Sequence, residues 1–136
     1  MIVKFNMIED KSLIELIESF EKSFKDILKI IKSMGNDNRL KILSVLLTGE
    51  KSFEHLKSET ALQKTALSNH LTKLINNGLV EKPEHGKYKI TSDGNLFVKA
   101  VDSAFYKSDI WKKKQTEKLE RRQFSEMFVE SFFGRE

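Results

Sequence analysis

Seven polar side chains, Gln63, Lys64, Thr65, Ser68, Asn69, Thr72 and Lys73, fall within residues 60–80, a stretch with no Asp or Glu in a chain that carries 20 of them. Their chemistry suits the edge of a polyanion. Gln and Asn amides pair bidentately with adenine, Ser and Thr hydroxyls bond bases or phosphates, and Lys neutralises backbone charge. Between them Leu67, Leu71 and Leu74 recur at i, i+4 and i+7, which puts the leucines on one helical face and the polar set on the other. A solvated helix face has much the same composition, so the flanking elements must decide between the two.

Gly78 is suited to the left-handed conformation that ends a helix. Residues 79–91 then read L-V-E-K-P-E-H-G-K-Y-K-I-T. Leu79 and Val80 begin one strand, residues 83–86 supply the turn, and Tyr88 and Ile90 alternate with Lys87 and Lys89 as a half-buried strand requires. Upstream, Asn36, Asp37 and Asn38 are capping candidates for a helix over residues 39–47, closed by Gly49. A second short helix starts at Ser52, with Glu54 and His55 near its first turn and Leu56 inside. Helix, short helix, polar helix and basic hairpin follow in the order of a winged helix-turn-helix.

Three segments carry a resemblance: M-G-N-D-N-R-L-K-I-L-S-V-L-L at 34–47, A-L-S-N-H-L-T-K-L-I-N-N-G-L-V-E at 66–81 and G-K-Y-K-I-T at 86–91. Over about residues 33–101 the chain resembles the ArsR/SmtB-type winged helix-turn-helix transcriptional regulators. The most telling piece is Ser68-x-His70-Leu71-x-x-Leu74-x-x-x-Gly78-Leu79-Val80. The resemblance implies a mainly α fold with a small β-hairpin wing (α+β) and extra terminal helices. It also implies sequence-specific binding of double-stranded DNA by a homodimer, with repression as the expected sign. Lys64, Thr65, Ser68 and Asn69 are expected at base edges or the groove wall, with Gln63 and Thr72 on the same face. Lys73, Lys82, His85, Lys87 and Lys89 are expected nearer phosphate. His70 either bonds across the helix-turn-helix or meets a phosphate. Metal-sensing members of that family carry a Cys-containing motif in the recognition region, or paired Asp/His and His/Glu ligands on the helix after the wing. This chain has neither, so the resemblance is to a member without metal-site motifs. Residues 1–33 and 102–136 match no family pattern.

Leu13, Ile17, Phe20, Phe24, Ile27, Ile31 and Met34 are spaced 4, 3, 4, 3, 4, 3, an a/d seam sustained for three heptads and widened by Leu16, Leu28 and Ile30. That is more apolar surface than a small winged helix covers, so the helix is expected to pair with a second copy. Phe97, Val101 and Phe105, then Trp111, then Phe124, Phe128 and Phe132 form a second stripe on one or two helices. The dimer interface is expected to use Leu13, Ile17, Phe20, Phe24, Ile27, Phe97, Val101 and Phe105. The expected organisation is one domain: residues 9–34 the dimerisation helix, 36–91 the winged core, and 92–136 a C-terminal helical extension.

The remaining composition narrows the function classes. There is no cysteine, no Gly-rich phosphate loop and no G-x-S-x-G elbow, so the chain is not read as an enzyme. His55, His70 and His85 lie 15 residues apart on separate elements, without the spacing that preorganises a metal; no metal and no cofactor are expected. The input, if any, is then a small molecule or a protein, and Phe97, Phe105, Trp111 and Phe128 suggest an apolar or aromatic effector. Net charge is +4, a moderate basic bias. By residues 1–35, 36–98 and 99–136, basic and acidic side chains number six and six, nine and seven, and nine and seven. DNA binding therefore rests on local placement. The clusters Trp111-Lys112-Lys113-Lys114 and Arg121-Arg122 suit phosphates flanking a site, but a charge run is more often a solvated helix face, and they read as one. No apolar run approaches the 18 or so residues of a membrane span, and the expected location is the cytoplasm. A competing reading is a winged helix that docks on protein, as an interaction module or transcription-machinery subunit that does not read DNA sequence. The acid-free face favours DNA, since a protein-docking helix more often exposes apolar or mixed-charge residues.

Overall fold

The computed structural model describes residues 11–133. Its elements are α1 (Leu13–Met34), α2 (Asp37–Leu46), β1 (Lys51–Ser52), α3 (Phe53–Thr60), α4 (Lys64–Asn76), β2 (Val80–Glu81), β3 (Lys87–Ile90), α5 (Ser92–Lys107) and α6 (Asp109–Phe133). The chain divides into two compact units, Met1–Gly94 and Asn95–Glu136.

Short polar side chains set the starts of α1, α2 and α3 in the first unit. Ser12 Oγ accepts from Glu15 N at 3.2 Å, so α1 begins at Leu13; residues 9 and 10 of the expected 9–34 dimerisation helix lie outside the described residues. Asn36 Oδ1 accepts from Arg39 N at 3.1 Å and Ser52 Oγ from His55 N at 3.1 Å. Each satisfies a backbone donor that a helix start leaves open. Between α3 and α4, Ala61 ends α3 in the left-handed region at φ 56°, an uncommon conformation for a residue with a Cβ.

α2 is the centre of this unit, packing against α1, α3, α4 and β3. Ile42, Leu43 and Leu46 from α2, Leu56 from α3 and Leu67, Leu71 and Leu74 from α4 are buried together with Leu79, Val80, Tyr88 and Ile90. The wing is more than a hairpin. β1 pairs antiparallel with β3, Lys51 opposite Tyr88, so the sheet has three strands in the order β1-β3-β2. β2 lies on the other edge with Val80 opposite Ile90 and Glu81 opposite Lys89.

The start of α5 is sewn to the wing. Thr91 Oγ1 donates to the Gly78 carbonyl at 2.6 Å and accepts from Gly94 N at 2.9 Å. A Cβ at Gly94 would collide with the Leu79 carbonyl oxygen and lie 2.7 Å from Ile90 Cγ1, so only glycine permits this approach.

In the second unit, Ser108 separates α5 from α6 and its Oγ accepts from Trp111 N at 3.3 Å. Phe105, Tyr106 and Trp111 gather at this break, with ring centroids 4.8–5.8 Å apart. Phe128 and Phe132 pair farther along α6 at 4.6 Å. No residue of α6 is buried.

Candidate nucleic-acid interface

The three leucines of α4 decide which way its polar residues face. With Leu67, Leu71 and Leu74 at 0–1% exposure, Lys64, Thr65, Ser68, Asn69, Thr72 and Lys73 are left in solvent on the opposite side. Gln63 is the exposed N-cap residue and makes no side-chain cap bond, so donors of the first turn stay available to an anion. No acidic side chain lies in that turn. Thr72 Oγ1 donates back to the Ser68 carbonyl at 2.8 Å, which turns its methyl group, not its hydroxyl proton, outward.

On β3 the burial alternates, Lys87 and Lys89 outside, Tyr88 and Ile90 inside. Lys82 is exposed with its ammonium 5.6 Å from the Tyr88 ring centroid, a cation–π distance. His85 is exposed beside Gly86, whose φ of +74° turns the wing tip. The wing also carries exposed Glu81 and Glu84, so its positive charge is concentrated on β3.

His70 is placed differently from the other polar residues of α4. Its Nδ1 lies 3.1 Å from Arg39 Nη1. A guanidinium only donates, so Nδ1 accepts and the neutral ring carries its proton on Nε2. Burial first, then the charges of Arg39 and Lys73, push the imidazole below its ordinary value of 6.5, while Asp37 acts the other way. His70 thus makes a bond across the helix-turn-helix through Nδ1. Arg39 is the residue that sequence analysis missed. Its Nε donates to the Ser33 carbonyl at 2.7 Å and its Nη2 to the Lys32 carbonyl at 3.1 Å, which satisfies open acceptors at the end of α1. One side chain therefore ties the end of α1 to the middle of α4. No local pattern signals this contact, because Arg39 and His70 are 31 residues apart.

The expected interface residues divide by unit. On α1, Leu13, Ile17, Phe20 and Phe24 are 44–72% exposed and Ile27 is half-buried; Phe20 and Phe24 meet edge to face at 5.9 Å. In the second unit Phe97 is half-buried, and Val101 and Phe105 are exposed. His55 lies 3.8 Å from Glu59. Among the described residues no three His, Cys, Asp or Glu side chains are placed to hold a metal ion, and no helix is long and apolar enough to cross a membrane.

Residues 36–82 match the family described as bacterial regulatory protein, arsR family. The transcriptional activator HlyU of Vibrio cholerae is 33% identical over 85 residues, covering 62% of this chain and 79% of that protein. A structure of V. cholerae HlyU superposes with a TM-score of 0.54 over 66% of this chain and 95% of its own. The solution structure of the homodimeric winged helix-turn-helix DNA-binding domain of Mb0332 from Mycobacterium bovis, a possible ArsR-family regulator, is similar at 27% identity and TM-score 0.55, covering 63% of this chain and 84% of that one. The transcriptional repressor BigR of Xylella fastidiosa has 25% identity and TM-score 0.56, over 65% and 91% of the two chains. With an acid-free helix standing out of a leucine core beside a three-stranded wing, these likenesses lead to one conclusion: the chain belongs to the arsR family of bacterial transcriptional regulators and carries that family's winged helix-turn-helix DNA-binding domain.

Proposed function

We propose that this protein is a homodimeric, sequence-specific regulator that reads an inverted-repeat operator with α4. The observation that carries this reading is the exposed acid-free face of α4, held rigid by its buried leucines. Lys64, Thr65, Ser68 and Asn69 reach base edges or the groove wall; Lys73 and the wing residues Lys82, Lys87 and Lys89 reach phosphate, with His85 at the wing tip. Phosphate contacts position the protein and base contacts specify the sequence. The exposed apolar seam of α1 supports dimerisation, as does the homodimeric state of the Mb0332 domain. Two coupled copies would set the reading helices about one DNA turn apart, about 34 Å.

Repression is the proposed sign, because a dimer covering a promoter element excludes polymerase without a further contact surface. The named relatives include both an activator and a repressor, so a promoter–reporter fusion decides it. The proposed input is not a soft metal or a thiol switch: the sequence has no cysteine, and histidine with carboxylate ligands rarely discriminates a soft ion. Cadmium titration with DNA affinity as the readout tests this.

The reading of α4 is tested by selecting bound sequences from a random duplex pool and titrating variants on the winner. Asn69→Ala is expected to relax choice at one base by about 1–3 kcal/mol. If Ser68→Ala and Asn69→Ala together leave affinity and specificity unchanged, α4 is not the reading helix.

A further inference from the structure

The charge of α6 is distributed unevenly along its length. Residues 112–122 hold six basic and two acidic side chains, whereas residues 123–133 hold Glu126 and Glu130 and no base. At 3.6 residues per turn, Lys118 and Arg121 fall about 40° and 20° to either side of Lys114, and Trp111 about 60° away. These four line one shallow concave surface with Gln115 and Glu117. All three basic side chains are exposed. Two other bases of α6 are engaged, Lys112 with Asp109 at 4.0 Å and Arg122 with Glu126 at 3.4 Å, while Lys113 lies off the stripe, about 100° from Lys114. Among the described residues no ion pair engages Lys114, Lys118 or Arg121, and Glu117 is the one acid beside them, about 60° from Lys114. By sequence the clusters that contain Lys114 and Arg121 read as a solvated face in preference to phosphate contacts, and Lys118 belongs to neither cluster. One uninterrupted helix that lines these three bases up without partners is a different surface.

We propose that the Lys114, Lys118 and Arg121 stripe is a second contact with the DNA backbone, added to the winged helix-turn-helix. The inference rests on this chain being a DNA-binding regulator. From Lys114 to Arg121 the helix rises about 10 Å, about the length of three base steps along the duplex axis at about 3.4 Å each. Lysine and arginine on phosphate add affinity and no sequence choice, so the stripe needs only a line of charge, which an otherwise unburied helix supplies. A membrane surface fits less well. A helix lying on lipid needs an apolar face along its length, and Leu119 is the one apolar side chain between residues 112 and 123. The residues that match the family model end at 82, and the stripe lies beyond them.

The test is a salt series on a long random-sequence duplex with the full chain. Wild type is compared with the triple variant K114Q/K118Q/R121Q, the off-stripe double variant K112Q/K113Q, the charge-conserving K114R/K118R/R121K, and S68A/N69A. Each phosphate contact adds about 0.9 to the slope of log affinity against log salt. The triple variant is therefore expected to lower the slope by about 2 to 3, with the double and charge-conserving variants near wild type. S68A/N69A is expected to keep the slope and lose sequence choice. A triple variant with the wild-type slope overturns the inference, as does an equal loss per charge in the double variant. So does lost binding to phosphatidylserine vesicles with an unchanged DNA slope, which would assign the stripe to a bilayer. Wild type that fails to bind any duplex would remove the DNA-binding reading beneath it.

Discussion

α4 and α6 both present polar faces, and they are held in opposite ways. α4 has 13 residues, of which Leu67, Leu71 and Leu74 are buried against the core. α6 has 25 residues and buries none, leaving Phe124 at 70% and Phe132 at 67% exposure. Most helical stability in a protein comes from packing of an apolar face, so α4 is oriented by its neighbours while α6 keeps apolar surface uncovered. Reading a base edge demands a polar atom in one place; neutralising a phosphate demands only charge nearby. The packed helix suits the first task and the unpacked one the second.

The largest effect that tests this contrast is a core truncation. Leu71→Ala is expected to cost about 2–5 kcal/mol, the range for a buried leucine, and to take DNA binding with it. Leu119→Ala in α6 is expected to stay within about 0.5 kcal/mol. Denaturant midpoints of the two variants measure it; equal losses would mean that α6 is packed as firmly as α4. A smaller effect on the fold, though a large one on binding, is expected at the α1 seam. Phe20→Glu with Phe24→Glu should leave a folded monomer by circular dichroism and light scattering. Its operator affinity should fall by about 10²-fold or more, the avidity that coupling two modules supplies. A folded monomeric variant that binds the full site as tightly as wild type would break the dimer proposal.

The smallest effect is on pH dependence. His70 is held below its ordinary value of 6.5, so between those two values the unfolded chain binds more proton than the folded one. The neutral ring's contribution is complete above about pH 6.5, is lost as pH falls below it, and changes no further once the folded group has titrated. Wild type should thus lose more stability than His70→Gln between pH 7.5 and pH 5.5, as read by parallel urea titrations. Equal losses would mean that burial and the neighbouring Arg39 and Lys73 do not disfavour the protonated ring in the folded protein.

Several elements are legible in the sequence because their rules act over a few residues. The Asn36 and Ser52 caps, the leucine face of α4, the left-handed Gly78 and the alternation of Lys87 to Ile90 are each written within a turn or a strand. The two-residue strand β1 is not, since Lys51 and Ser52 become a strand only by pairing with β3. The role of Gly94 is also hidden, because its reason is the Leu79 carbonyl 15 residues earlier. The aromatic stripe after Thr91 fits one or two helices equally well in sequence; the break at Ser108, with Phe105, Tyr106 and Trp111 packed around it, divides it.

The sequence by itself determined the acid-free reading face, the leucines that orient it, the seam of α1 and the absence of thiol chemistry, because composition and period are properties of the chain alone. Only the tertiary structure decided that Arg39 holds His70 and the end of α1 together and that the wing has a third strand. The physical reason is distance along the chain. Caps and periods act across three or four residues, whereas a side chain meeting a carbonyl or ring dozens of residues away depends on how the intervening elements fold back.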